Sequence, residues 1–151
     1  MHTLNISNQL VIEQTTDGYR YSIEPFLLVH FANLSTDSRL LDVGTGCGII
    51  PLLLAMQTSL KEIVGIELQK TLYDIAVNNI SINGSSDRVR LIHGNFTNAA
   101  IISKLSLFDT IISNPPYRKL NTGRINPNHE KAIARHEISI DLNSLLTKTS
   151  S

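Results

Sequence analysis

From residue 38 onward, short runs of consecutive aliphatic residues alternate with longer stretches in which apolar positions recur every three or four residues. Residues 39–43, 62–67, 88–93 and 108–113 predict four β-strands. Their aliphatics follow one another rather than alternating with polar residues, the pattern of strands covered by helices on both faces. Residues 48–57 predict a helix, with Pro51 in the first turn, where its missing N–H has no intrahelical partner. Residues 69–82 predict a second helix, with Leu72, Ile75, Ala76, Asn79 and Ile80 mostly on one face and Asn83-Gly84 as its stop. A weaker helix is expected over 97–105 and a last one over 139–146, carrying Ile140, Leu142, Leu145 and Leu146. This alternation implies an α/β fold built on a parallel sheet, in the Rossmann-like class.

Ahead of that core, residues 9–14 and 18–22 predict a small hairpin around Thr16-Asp17-Gly18, and 24–34 predict a helix opened by Pro25. Residues 1–37 therefore read as an N-terminal cap on the same domain as a core at 38–151. A doubly wound sheet normally continues past its fourth strand, whereas one helix and a polar tail follow here. The expectation is a sheet lacking its last strands, either an unusually small fold or a chain truncated at its C-terminus. Such an ending exposes the strand at 108–113 as an apolar edge, with self-association as its consequence.

With 151 residues, 42% of them hydrophobic, the chain can bury one domain-sized core. Thirteen basic and thirteen acidic side chains cancel, so overall charge points to neither a nucleic acid nor a membrane. Cys47 is the only cysteine, which excludes an intramolecular disulfide and suits a reducing cytoplasm. The first residues lack the pattern of a signal peptide, and the longest apolar run, 49–56, is far below the roughly 20 residues that span a bilayer. A soluble, cytoplasmic protein is expected. His129 and His136 lie seven apart without a cysteine nearby, so no metal site is expected.

The first candidate chemistry is Asp42-Val43-Gly44-Thr45-Gly46-Cys47-Gly48, at the junction of the first core strand and its helix. Glycines there let backbone approach a ligand where a Cβ would obstruct it. The spacing is G-x-G-x-G, because Ile49 stands where a dinucleotide fingerprint needs its third glycine. A phosphate-binding loop would need Lys and Ser/Thr, which are absent. Glu67 ends the second core strand, where a carboxylate can accept both hydroxyls of a ribose. The competing reading is a plain tight turn with a solvated strand-end charge. Asn95 and Phe96, after the third core strand, are placed to hydrogen-bond and pack against an adenine; a surface turn explains them almost as well.

Asn114-Pro115-Pro116-Tyr117 follows the fourth core strand, again at a carboxyl end. An exocyclic amino group on adenine, or an amide, is a poor nucleophile because its lone pair is delocalised. Acceptors at the Asn114 side-chain oxygen and the Pro115 carbonyl would take its two hydrogens and free the lone pair to face an electrophilic methyl. Pro115 and Pro116 stiffen the turn, and Tyr117 can stack on the planar target.

These motifs together resemble the amino-methylating class I methyltransferases, which include adenine-N6 enzymes of DNA and RNA and glutamine-N5 enzymes of release factors. The resemblance implies S-adenosyl-L-methionine as cofactor. It assigns cofactor contacts to Asp42, Gly44, Thr45, Gly46, Cys47, Gly48, Glu67, Leu68, Asn95, Phe96 and Asn114, and the target to Asn114 through Tyr117. Asn95 stands where aspartate is more usual, which implies a weaker adenine contact. Further stretches are similar to the bacterial tRNA1(Val) adenine-N6-methyltransferases. These are Asp17 to Ser22, Asp42 to Pro51, Gly65 to Gln69, Asn114 to Lys119, Gly123 to Pro127 and Ala134 to Glu137. That similarity implies an adenine next to the anticodon of a tRNA as substrate.

Local charge agrees. Residues 114–137 hold Arg118, Lys119, Arg124, Lys131 and Arg135 against two acids, leaving eight bases against eleven acids elsewhere. A basic rim suits phosphate contact, and these five are the expected nucleic-acid-binding residues. Two alternatives remain: a protein-glutamine N5-methyltransferase, and a cofactor-binding fragment without turnover.

Overall fold

The computed structural model describes residues 2–7, 10–15, 23–105 and 107–114. Its centre is a four-stranded parallel sheet. In chain order the elements are strands β1 (His2–Ser7) and β2 (Leu10–Gln14), helix α1 (Glu24–Phe31), β3 (Arg39–Val43), α2 (Ile49–Gln57), β4 (Glu62–Glu67), α3 (Lys70–Ile82), β5 (Val89–His93), α4 (Ala99–Ile102) and β6 (Thr110–Ser113). The strand order is β5-β4-β3-β6. β3 is thus flanked by β4 on one side and β6 on the other, and the connections run to opposite sides of it. The crevice beyond its carboxyl end is where open α/β sheets bind ligands.

The consecutive aliphatics of the strands divide between two cores. Leu40, Ile63, Val89 and Ile112 face a large cluster with α2, α3, Leu10, Ile12 and Val29, while Leu41, Val43, Val64 and Ile66 face a smaller one with Phe96. Ile101, Leu105, Phe108 and Ile111 close that second side. Burial on both faces explains why the strand pattern lacks alternation.

The α/β architecture and all four core strands stand where the sequence puts them, with trimmed ends that have physical causes. Arg88 precedes β5 because its N–H turns back to the Ser85 carbonyl at 3.1 Å, and its guanidinium caps α2, donating to the carbonyls of Ala55 and of Thr58 (3.0 Å). β6 starts at Thr110 because Asp109 is occupied with Arg39, whose N–H donates to Asp109 Oδ2 at 2.7 Å. α4 is a single turn, capped by Asn98, which accepts the Ala100 N–H at 2.9 Å. α3 ends as anticipated, with Gly84 at φ 65° and the Ser85 N–H bonded back to the Ile80 carbonyl. α1 stops at Phe31, short of residue 34, where Ala32 turns extended. The anticipated last helix, 139–146, lies outside the described residues.

In the N-terminal part, β2 pairs antiparallel with β1, His2↔Gln14 to Ser7↔Leu10. With β1 on one edge, β2 gives its other edge to α3: Asn83 and Asn79 side chains bond the N–H and carbonyl groups of Val11 and Glu13. The second strand of the anticipated hairpin, residues 18–22, lies outside the described residues.

Candidate cofactor and target site

The chain leaves β3 through three left-handed glycines, Gly44 (φ 74°), Gly46 (φ 59°) and Gly48 (φ 82°). Only glycine adopts this conformation without steric cost, and three in five residues wind the backbone into a tight turn. The Gly44 and Thr45 N–H groups anchor its start on the Ile66 carbonyl of β4. Gly48 also lets α2 approach α3, since a Cβ there would lie 3.2 Å from Cβ of Ala76. A Cβ on Gly46 would meet nothing within 4 Å, so the middle of the turn opens on free space.

Glu67 closes the turn from the neighbouring strand. Its Oε2 accepts the Gly46 N–H and its Oε1 the Gln69 N–H, both at 2.8 Å. Each oxygen keeps a second lone pair for a hydroxyl. Burial pushes the carboxyl above its usual pKa, opposed by backbone N–H groups of Gln69, Gly46 and Leu68 and by the charge of His93. Leu68 is half-buried, and its carbonyl lies 3.1 Å from His93 Nε2.

Asp42 is fully buried, and among the described residues no hydrogen bond closes on either of its carboxylate oxygens or on the Thr45 hydroxyl. Desolvation raises its pKa from 3.8 to about 7; the adjacent Thr45 hydroxyl opposes the rise and the Glu67 charge adds to it. Buried polar groups without partners mark a place where a ligand completes the bonding.

On the other side of β3, Val43 is in register with Ser113, and the Ser113 hydroxyl donates to the Val43 carbonyl at 2.9 Å. Asn114 therefore follows β6 level with Gly44, across the gap between diverging connections. Its Oδ1 is buried and accepts no hydrogen bond among the described residues. Asp42, the glycine turn, Glu67 and Asn114 thus lie together at the carboxyl ends of the adjacent strands β4, β3 and β6. Pro115, Pro116, Tyr117 and the basic residues Arg118, Lys119, Arg124, Lys131 and Arg135 lie outside the described residues.

Three further sequence candidates have other contacts as well. Cys47 is buried in the larger core, its thiol pKa pushed up to about 11 chiefly by desolvation, and it meets the rest of the site through its backbone. Phe96 is buried in the second core, in the cluster with Leu41, Val43, Val64 and Ile66. Asn95 is exposed, and its Oδ1 already accepts both the N–H and the hydroxyl of Thr97 at 2.8 Å, leaving its amide N–H groups as the available donors.

Sequence reasoning passed over Gly65. It faces Asp42 in register, and a Cβ there would stand 2.7 Å from Leu91 Cδ2 and 3.0 Å from Thr45 Oγ1. The signal was present as one glycine inside an aliphatic strand, which marks close approach of another group.

A family model described as the methyltransferase small domain matches residues 24–134. The chain belongs to this methyltransferase family. Among relatives, it is 33% identical over 138 residues to the tRNA1(Val) (adenine(37)-N6)-methyltransferase of Aliivibrio fischeri strain MJ11, covering 91% of this chain and 57% of that protein. It is 30% identical over 148 residues to the protein of that name from Porphyromonas gingivalis strain W83, covering 94% and 57%. The chain thus spans little more than half the length of the curated relatives it matches. The fold of this methyltransferase domain is shared with solved structures of low identity. One is a precorrin-6y C5,15-methyltransferase from Geobacter metallireducens (TM-score 0.59, 12% identity, 68% of this chain and 53% of that one). Another is TrmK of M. capricolum in complex with S-adenosylhomocysteine (TM-score 0.53, 18%, 63% and 41%).

Proposed function

We propose that this chain carries the cofactor and target site of an S-adenosylmethionine-dependent methyltransferase acting on the N6 amino group of an adenine in a tRNA anticodon loop. The observation that carries the reading is the buried Asn114 Oδ1, level with Gly44 and without a hydrogen bond among the described residues. It sets an acceptor for an amino hydrogen beside a turn built for close backbone approach. The donor set fits the cofactor: paired acids Asp42 and Glu67 suit a cationic ligand bearing a ribose, and the space over Gly46 is open.

When bound, S-adenosylmethionine supplies an electrophilic methyl carried on a sulfonium. The chain's own work is to hold and orient. Glu67 offers its remaining lone pairs to the ribose hydroxyls, and Asp42 and Thr45 present polar atoms that none of the described residues satisfies. Asn114 Oδ1 and the Pro115 carbonyl take the two amino hydrogens of the target, which localises the nitrogen lone pair, and Tyr117 stacks on the base. The product ammonium is acidic and loses its proton to water, so no strong base is required. An extruded base in a single-stranded loop meets these demands, with Arg118, Lys119, Arg124, Lys131 and Arg135 on the phosphates.

The names of the relatives and the membership of the methyltransferase family support this reading. Incubation with labelled S-adenosylmethionine and either tRNA or a release factor tests it. Label in an anticodon-loop adenine is the expected result. Label in a release-factor glutamine would replace adenine by an amide target, and cofactor binding without transfer to either would reduce the chain to a binding module.

A further inference from the structure

Asn79 is completely buried on α3, amid the apolar residues of that helix face, and every polar atom of its amide is engaged. Its Oδ1 accepts the Glu13 N–H at 2.8 Å, and its Nδ2 donates to the Glu13 carbonyl and to the Cys47 carbonyl, both at 2.9 Å. One helical turn later Asn83 repeats the grip on β2, accepting the Val11 N–H at 3.0 Å and donating to the Val11 carbonyl at 2.7 Å. Its second donor returns to the helix, at the Asn79 carbonyl (2.7 Å). The two asparagines differ in one contact: Asn79 alone of the pair reaches the glycine turn.

That contact lies opposite the one made by Glu67. Gly46 N–H is held by Glu67 and Cys47 C=O by Asn79, so the turn is fixed from β4 and from α3 at successive residues. The same amide places the next residue of β2. Gln14, 2% exposed, lies with its amide against the Cys47 thiol, a contact that favours the thiolate, and its Nε2 closes no hydrogen bond to nitrogen or oxygen among the described residues. The Thr15 hydroxyl, one residue on, is buried and closes no hydrogen bond among the described residues either. Buried donors beside the glycine turn are suited to an acceptor that a ligand would bring.

We infer that Asn79 is a positioning residue for the cofactor site, locking β2 to the glycine turn so that Gln14 forms a wall of the site and donates from Nε2 to the bound cofactor. This rests on the cofactor reading proposed above. It assigns to the N-terminal hairpin a part in recognition that the glycine motif does not reveal.

The test compares Asn79→Ala, Asn83→Ala and Gln14→Leu with the wild-type chain, by calorimetric titration with S-adenosylhomocysteine and by thermal unfolding. Both asparagine variants should lower Tm. Asn79→Ala should also raise Kd about fivefold to tenfold, while Asn83→Ala stays within about twofold, the difference being the loss of one hydrogen bond to the turn. Gln14→Leu should raise Kd to a similar extent, because it removes the Nε2 donor. Equal weakening by both asparagine variants, or wild-type affinity in Gln14→Leu, would overturn the inference. A wild-type chain that does not bind S-adenosylhomocysteine would overturn the cofactor reading and this inference with it.

Discussion

Glu67 Oε2 accepts the Gly46 N–H at 2.8 Å, so the acid at the end of one strand and the middle of the glycine turn after its neighbour form a single unit. Glu67→Gln replaces one acceptor oxygen by an NH2 group, which must face either the Gly46 or the Gln69 N–H. Losing one such bond to a charged acceptor corresponds to about 1.5–3 kcal/mol, hence a Kd for S-adenosylhomocysteine raised by roughly 10-fold to 150-fold. Calorimetric titration checks this; unchanged affinity would separate the turn from cofactor binding.

Asp42 predicts a pH dependence of stability. Its folded pKa, about 7, lies above the ordinary 3.8, so the folded state binds its proton more tightly than the unfolded state does. The stabilisation is complete below pH 3.8 and is lost as pH rises through 7, on the order of 4 kcal/mol for this group alone. The cofactor-free chain should therefore show a Tm that falls between pH 5 and 8, and Asp42→Asn should flatten that fall. A cationic cofactor favours the ionised form, so S-adenosylmethionine affinity should rise over the same interval. A wild-type Tm profile identical to that of Asp42→Asn would refute the assignment.

Gly65→Ala tests the packing of turn on strand. The added Cβ would press on Leu91 Cδ2 at 2.7 Å and on the Thr45 side chain at 3.0 and 3.1 Å. Overpacking of this kind destabilises by about 1–3 kcal/mol. Because one of the obstructing groups lines the site, cofactor affinity should drop together with Tm. A variant that unfolds earlier yet binds normally would show that Leu91 alone gives way.

Asn114→Ala removes the acceptor and leaves the glycine turn, Asp42 and Glu67 untouched. Methylation should fall by at least about 100-fold while S-adenosylhomocysteine binding stays within about twofold. Transfer at the wild-type rate in a single-turnover assay would remove Asn114 from the mechanism.

The strand ends that carry the site were readable because glycine and acidic residues interrupt otherwise aliphatic runs: Asp42 through Gly48, Glu67, and Asn114 after Ile111-Ile112-Ser113. Two-sided burial was readable for the same reason. What stayed hidden depends on partners distant in sequence. Nothing in the spacing of β2 says that its strand partner is residues 2–7, since the deciding contacts come from Asn79 and Asn83, some 70 residues away. Asn79 stands among the apolar positions of its helix, a polar residue on a buried face, but its two targets emerge only in three dimensions. Phe96 follows a strand end, but its place in the second core depends on residues of three other strands and could not be read from its own neighbourhood.

The pairing of α3 with β2 also has a metric. Residues four apart on a helix are separated by about 6.0 Å along its axis, and residues two apart on a strand by about 6.8 Å. Asn83 and Asn79 can therefore meet Val11 and Glu13 in succession with little mismatch, and the side chains act as two rungs of a ladder that a third strand would otherwise provide. Each further rung would add about 0.8 Å of misfit, so a helix can imitate a strand for only a short distance. The length of β2 is matched to that limit, and a longer strand in its place would leave unpaired peptide groups open to another chain.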